Sequence, residues 1–525
     1  MGSWREYISA PITRREVVND ERVCLCFQDR PKGIYSLFEK GMRDSGGGEA
    51  IVFGHRRLSY AELGGLVERY AAALEALDVR PGSRVGALLG NCPEYVALIF
   101  AIARLGGILV PMNIRETGPE LAFIIGDSGA EVIVAHEELV EALSAARAMP
   151  RVRHVISMAA DGASQLDNVA GGRAIPPLAN VAEDDAAAIL YTSGTTGRPK
   201  GAILSHRNII HSFLHYQTAM TVTSNDRSIL AVPMSHVTGL IALVALTIGA
   251  GGTLIIMESF NANRFIALAV EERMTHTLIV PAMFNLCLLQ PAITNADLSA
   301  WRVAGYGGAI MPQVTLEKIA TYLPQLKLIN CYGATETTSP AVLMPPVHAA
   351  ERAHQVGLPV LCCDIMIMDA NGNEVAIGDP GEIWIAGPMV VSGYWNNPAA
   401  TQKEFVGGYW RSGDIGSIDD QGFVRVIDRL KDVINRGGYK IYASEVENLI
   451  LDHPAVVEVA VVGVPCEVLG ERVHAHLVVK EPISSDEIRE FCAGHLADYK
   501  IPEKYHFVEA LPRNANGKIL KRSLR

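Results

Sequence analysis

From about residue 50 to residue 340 the chain alternates short apolar runs with amphipathic stretches of helical period. Leu63, Leu66, Tyr70, Leu74 and Leu77 fall on one helical face, and Ser59 with Glu62 reads as a capping box ahead of them. Strands are predicted over 85–89, 108–111, 131–135, 228–232, 253–257, 277–280 and 327–330, with helices between most of them. This alternation predicts an α/β fold of layered, mostly parallel sheets. Residues 240–257 carry no charge, a length close to a membrane span, but Gly249, Gly251 and Gly252 divide the run. A buried helix–turn–strand unit is expected there, and no transmembrane segment.

Near residue 356 the pattern changes to short strands and turns. Asn371-Gly372 and Asp379-Pro380-Gly381 are turn signals, and 382–385 and 423–426 read as strands, which predicts a β-rich subdomain over about 356–428. After Arg429-Leu430-Lys431 a small α+β segment follows, with helices starting at Ser444 and Ser485 and strands at 456–462 and 474–479. The expected organisation is a large N-terminal domain, 1–428, and a small C-terminal domain, 429–525, with a boundary near 429–431. Ser444 and Glu447 are read as a capping box without a chemical role.

Composition narrows the function. The 525 residues, 49% of them hydrophobic, exceed what one hydrophobic core organises. A formal charge of −11, without long charged runs, argues against nucleic acid as a partner, so any polyphosphate must be met by local donors. The nine cysteines are scattered without metal or redox spacing, which fits thiols in a reducing cytoplasm. The N-terminus has charges and no apolar segment behind them, so no signal peptide is expected.

Residues 191–201, Tyr-Thr-Ser-Gly-Thr-Thr-Gly-Arg-Pro-Lys-Gly, follow the strand-like Ala188-Ile189-Leu190. Thr192, Ser193, Thr195 and Thr196 bring hydroxyls, Gly194 and Gly197 let successive N–H groups converge on one anion, and Lys200 adds a cation. The run is built to hold a polyphosphate. It is not a Walker loop, since Pro199 precedes Lys200 and Gly201 follows it. Nor is Gly305-Tyr306-Gly307-Gly308 a dinucleotide fingerprint, because Ile310 stands where the third glycine belongs. A second run, Asn330-Cys331-Tyr332-Gly333-Ala334-Thr335-Glu336-Thr337, also follows a strand, at an edge where α/β sheets bind ligands. Tyr332 can cover an adenine, Thr335 can donate to a phosphate oxygen, and Glu336 is a hard oxygen ligand suited to Mg²⁺. In Tyr409-Trp410-Arg411-Ser412-Gly413-Asp414, Asp414 can accept from both hydroxyls of a ribose.

These runs, in this order, resemble the signatures of the adenylate-forming superfamily: acyl- and aryl-CoA ligases, luciferases and adenylation domains. The resemblance covers about residues 30–525. It implies that Thr192–Gly197 and Lys200 hold the ATP phosphates. Gly307, Gly308, Ala309, Asn330, Tyr332 and Gly333 would line the adenine, Asp414 with Arg429 would hold the ribose, and Glu336 would bind Mg²⁺ while Thr335 contacts the α-phosphate. It further implies that Lys518, in Asn516-Gly517-Lys518, reaches the carboxylate and α-phosphate, and that Lys431 is the hinge of a mobile C-terminal domain. Arg436, Gly437 and Gly438 match a segment that lets a pantetheine arm pass, and His236, Tyr306, Gly307, Thr337 and Thr338 match acyl-pocket positions.

The implied reaction joins a small-molecule carboxylic acid to coenzyme A through an acyl-adenylate, with ATP and Mg²⁺, releasing AMP and pyrophosphate. The alternative is a freestanding adenylation enzyme loading a carrier protein in trans. The chain stops soon after Lys518, where no carrier domain is expected in cis. A third alternative is a binding or oxidative relative: intact Glu336, Asp414 and Lys518 oppose an inert binder, and no residue points to oxidative chemistry. The acid and the oligomeric state are left open.

Overall fold

Helix Tyr60–Ala76 begins where its cap predicts: the Ser59 hydroxyl accepts from the Glu62 amide, and the Glu62 side chain accepts from Ser59. In the computed structural model, residues 2–18, 22–144, 150–159, 161–192, 198–309, 311–513 and 519–525 are described. They form two compact units. One comprises Met1–Ile365, Ile385–Trp410 and Gln421–Phe423, the other Met366–Trp384, Arg411–Asp420 and Val424–Arg525.

The first unit contains two large sheets. A six-stranded sheet runs Lys200–Ser205, Ala186–Thr192, Ile108–Pro111, Arg84–Leu88, Val132–His136, His154–Met158. A nine-stranded sheet has at its centre Lys327–Ala334, Val303–Gly307, His276–Ile279, Arg227–Leu230 and Thr253–Ile256, all mutually parallel. These strands read as continuous apolar runs because helices cover both faces. Helix Pro93–Arg104, apolar nearly all round, is buried over almost its whole length. The α/β expectation holds, and the predicted strands match within a few residues. The uncharged stretch is a π-helix over Thr238–Ala245, a short α-helix Leu246–Gly249 and strand Thr253–Ile256, all buried. Among the described residues no helix is long and apolar enough to cross a membrane. The nine cysteines are free thiols.

Unpredicted elements include the hairpin of Thr13–Val18 with Arg22–Phe27 and strand Lys200–Ser205. Arg14, Arg15, Glu16 and Arg22 hide the hairpin's alternation; Glu16 pairs with Arg30 and Arg207, and Arg22 donates to the Gly387 carbonyl, all distant in the chain.

The second unit is α+β. Tyr439–Ile441, Ile434–Arg436, Gly470–Val479 and Val456–Cys466 form a sheet, with Lys504–Phe507 beside Gly470–Val479. Ile434, Val446, Ile450, Val461, Leu477 and Ile488 fill the core between this sheet and helices Ala443–Leu451 and Ser485–Ala493. The capping box expected at Ser444 and Glu447 is absent. Tyr442 precedes the helix without a side-chain cap, Ser444 Oγ donates to the Ile427 carbonyl, and Glu447 accepts from the Val461 amide at 2.7 Å. Lys521 holds the same Glu447 carboxylate at 2.7 Å. Long-range partners outcompeted the local pattern.

Candidate functional site

Four parallel strands of the nine-stranded sheet send their following loops to one edge. Gly307 pairs with Cys331 and Tyr306 with Asn330, so the 307–309 turn lies beside 331–338. The loop after Arg227–Leu230 carries His236 to the same edge. Carboxyl edges of this kind are where open α/β sheets bind ligands. The structure therefore gathers Gly307, Gly308, Ala309, Asn330, Tyr332, Gly333, Thr335, Glu336 and His236.

Local geometry sets the 331–338 turn. Gly333 accepts no side chain, since a Cβ there would stand 1.5 Å from the Ser339 carbonyl oxygen. Thr335–Thr337 make one 3-10 turn, and Thr337 Oγ1 accepts from the Ala334 amide at 2.9 Å. Thr338 follows at φ 53° and Ser339 at φ 95°. A β-branched residue held left-handed is strained, a feature that clusters at functional sites. The Thr338 hydroxyl is buried without a hydrogen-bond partner among the described residues. Tyr306, also assigned to the acyl pocket, is 2% exposed within a tightly packed apolar cluster. The His236 ring turns onto Thr238, its Nδ1 accepting from that amide at 3.3 Å at the start of the π-helix. Asn91 fixes the neighbouring loop: its Oδ1 accepts from the Met234 amide at 2.9 Å, and its Nδ2 donates to the Val232 and Met257 carbonyls.

Glu336 is almost fully buried. Burial raises its pKa, while a hydrogen bond from Tyr394 and the charge of Lys200 oppose the rise. Tyr394 OH, with one proton to donate, lies 2.9 Å from Glu336 Oε1 and 2.6 Å from Glu404 Oε2. Lys200 Nζ holds both Glu404 oxygens, at 2.7 and 2.8 Å, and stands 4.3 Å from the centre of the Tyr394 ring. The strands on either side of the proposed phosphate loop, Ala186–Thr192 and Lys200–Ser205, pair antiparallel, with Thr192 opposite Lys200. Ser193, Gly194, Thr195, Thr196 and Gly197 lie outside the described residues.

Tyr394 and Glu404 were missed in the sequence. Gly393-Tyr394-Trp395 carries a faint aromatic signal, but Glu404 has none. Glu336 is the one buried carboxylate of its turn. Among the described residues, no group of three or more His, Cys, Asp or Glu side chains stands where it could hold a metal ion. This donor set still suits Mg²⁺, which is commonly bound through one or two carboxylates together with substrate phosphates.

In the second unit, Asp414 faces Arg429 across the pair Tyr409–Ile418 and Val424–Arg429, with Nε to Oδ1 at 3.2 Å. Glu382 organises the turn before it: its carboxylate accepts from Arg411 at 2.9 and 3.0 Å and from the Gly413 amide at 3.2 Å. Lys431 sits in the 3-10 turn Leu430–Asp432, its carbonyl accepting from Arg525. Gly437 and Gly438, at φ 57° and 90°, close the hairpin between Ile434–Arg436 and Tyr439–Ile441, a two-residue turn that needs left-handed backbone. The Arg436 guanidinium contacts Glu503 and the Tyr499 carbonyl, each at 2.7 Å. Lys518 lies outside the described residues.

Comparison with known proteins agrees with this reading. Residues 38–395 match the family described as AMP-binding enzyme, and residues 445–518 its C-terminal domain. The chain is 36% identical over 502 residues to a feruloyl-CoA synthase of an Amycolatopsis species, covering 94% of this chain and 99% of that one. It is 35% identical over 470 residues to the long-chain-fatty-acid–CoA ligase FadD13 of Mycobacterium tuberculosis, covering 89% and 93%. The crystal structure of ATP-bound MatB from Rhodopseudomonas palustris superposes with a TM-score of 0.87 at 32% identity, covering 94% and 98%. The chain belongs to the AMP-binding enzyme family and, within it, to the AMP-forming acyl-CoA synthetases of the adenylate-forming superfamily.

Proposed function

We propose that the edge carrying Glu336 is where this chain activates an uncharged-tailed carboxylic acid on ATP, before passing the acyl group to coenzyme A. The observation that carries this reading is a buried Glu336 carboxylate beside the Gly307–Ala309 turn and the end of strand Lys327–Ala334. The acid is already ionised and needs no general base, so positioning and charge stabilisation dominate. Thr192–Gly197 receive the phosphates, Asn330, Tyr332 and the 307–309 glycine turn take the adenine, and Asp414 with Arg429 takes the ribose. Glu336 would hold Mg²⁺, which supplies charge neutralisation for the departing pyrophosphate. Thr335 donates to the α-phosphate, Lys518 to the acid's carboxylate, and Arg436–Gly438 line the path of the thiol. The domain boundary falls at 429–431, with Lys431 as its hinge.

The acid's tail enters beside His236, Thr337 and Thr338, against the uncharged, almost wholly buried π-helix Thr238–Ala245. That environment penalises a second carboxylate. A panel of aromatic, medium-chain, long-chain and dicarboxylic acids, read by CoA-dependent AMP release, tests the reading. Turnover is expected with monocarboxylic acids and CoA alone. AMP release that needs a carrier protein, or that is confined to dicarboxylates, would overturn it.

A further inference from the structure

The Lys200 ammonium sits 2.7 and 2.8 Å from the two Glu404 oxygens and over the Tyr394 ring, with its side chain only 10% exposed. Moving it to meet a phosphate would break this part-buried pair, whose Glu404 side chain is 26% exposed, and take the cation from beside the Tyr394–Glu404 hydrogen bond. The backbone ties the same groups together. Strand Lys200–Ser205 forms a bridge at Ala202 to Tyr394; Ile203 N donates to Gly393 O at 3.1 Å, and Trp395 N to Gly201 O at 2.7 Å. Val391 N donates to the Glu336 carbonyl at 2.9 Å, and Tyr394 N to Thr401 Oγ1 at 2.9 Å. Segment 391–404 is therefore a brace, pinned at one end to the strand leaving the phosphate loop and at the other to Glu336.

We propose that Tyr394, Glu404 and Lys200 form a positioning relay that fixes the Glu336 carboxylate for the metal–nucleotide, and that Lys200 acts through this relay and not as a phosphate donor. The proposal rests on the reading that Glu336 holds the metal. Lys200 orients Glu404, Glu404 and the ring contact orient the phenol, and the phenol's single proton, shared between Glu404 Oε2 and Glu336 Oε1, fixes one Glu336 oxygen, leaving the other for the ion. Partners that orient a metal ligand typically matter by 10–100-fold in affinity.

The test measures Mn²⁺ binding by electron paramagnetic resonance, in the full chain saturated with α,β-methylene-ATP. Binding of the same analogue in EDTA is measured by calorimetry. Tyr394→Phe, Glu404→Gln and Lys200→Met are each expected to raise the half-saturating Mn²⁺ by ~10-fold or more, with analogue binding in EDTA unchanged. Lys200→Met combined with Glu404→Gln should be no worse than either alone, since the two act as one unit. Wild-type Mn²⁺ affinity in Tyr394→Phe, which keeps the packed ring, would overturn the relay. So would a loss of metal-free analogue binding in Lys200→Met that Glu404→Gln does not share. Equal Mn²⁺ binding by the wild type and Glu336→Gln would instead refute the underlying assignment of Glu336.

Discussion

Single residues carry most of the charge logic of this chain, and Glu16 shows how. Its carboxylate meets Arg30 at 2.6 Å and Arg207 at 3.2 Å, while Arg30 also holds Glu183 and Arg207 holds Asp184. The hydrogen bond from Arg30 leads the causes that bring Glu16 down to about 2 despite the opposing cost of burial. A carboxylate with a depressed folded pKa stabilises above its unfolded value, near 4.5, and loses that contribution as pH falls toward about 2. Glu16→Gln is therefore expected to cost about 1.5–3 kcal/mol at pH 7. The gap between variant and wild type in denaturant melts should close progressively below pH 4.5. A pH-independent gap would mean that packing, not charge, matters there. The same scale explains why Glu404 escaped notice: a glutamate at the end of a short helix has no sequence mark that distinguishes it from a solvated one.

At the scale of elements, helix His206–Met220 is the informative case. Its His206, His211 and His215 are all buried. His211 Nδ1–H donates to the Arg207 carbonyl at 3.0 Å and Nε2 accepts from the Phe27 amide at 3.3 Å, which requires the neutral ring. Burial lowers His206 to about 4 and His211 and His215 to about 3. The unfolded chain takes up these protons from about pH 6.5 downward while the folded chain does not, so stability is held above that pH and lost below it. Melting temperature should fall steeply between pH 6.5 and pH 5, and His215→Leu should flatten that slope. An unchanged slope in the variant would point to other groups. The helix itself was not singled out from the sequence, although its cap is local: the Ser205 hydroxyl accepts from the Asn208 amide at 3.2 Å. The pattern at Ser444 shows the converse, a local signal that tertiary partners overrode.

For the whole molecule, the proposed reaction divides into an adenylating and a thioester-forming half. Lys518 is proposed to serve the adenylating half and Lys431 to lie at the hinge between halves. Lys518→Ala should lose acyl-adenylate formation by orders of magnitude yet still convert supplied acyl-adenylate and CoA to thioester. Lys431→Pro, by fixing φ in the turn Leu430–Asp432, should slow thioester formation more than adenylation. Single-turnover assays of the separated halves check both. Normal adenylation by Lys518→Ala, or equal losses in both halves for Lys431→Pro, would refute the respective role.

The sequence alone determined the layered α/β architecture, because strands covered on both faces read as continuous apolar runs and helices with one buried face leave a 3.6-residue period, whatever their neighbours. The family chemistry was also legible in the sequence, because Thr192–Lys200 and Asn330–Thr337 are local runs that carry the resemblance without any tertiary partner. Only tertiary structure decided what the buried groups do. Lys200 turned to Glu404, Tyr394 reached Glu336 from 58 positions away, and Glu447 left its own helix end for Val461 and Lys521. Each joins residues far apart in the chain. Their energy comes from buried and part-buried pairing that no local pattern encodes.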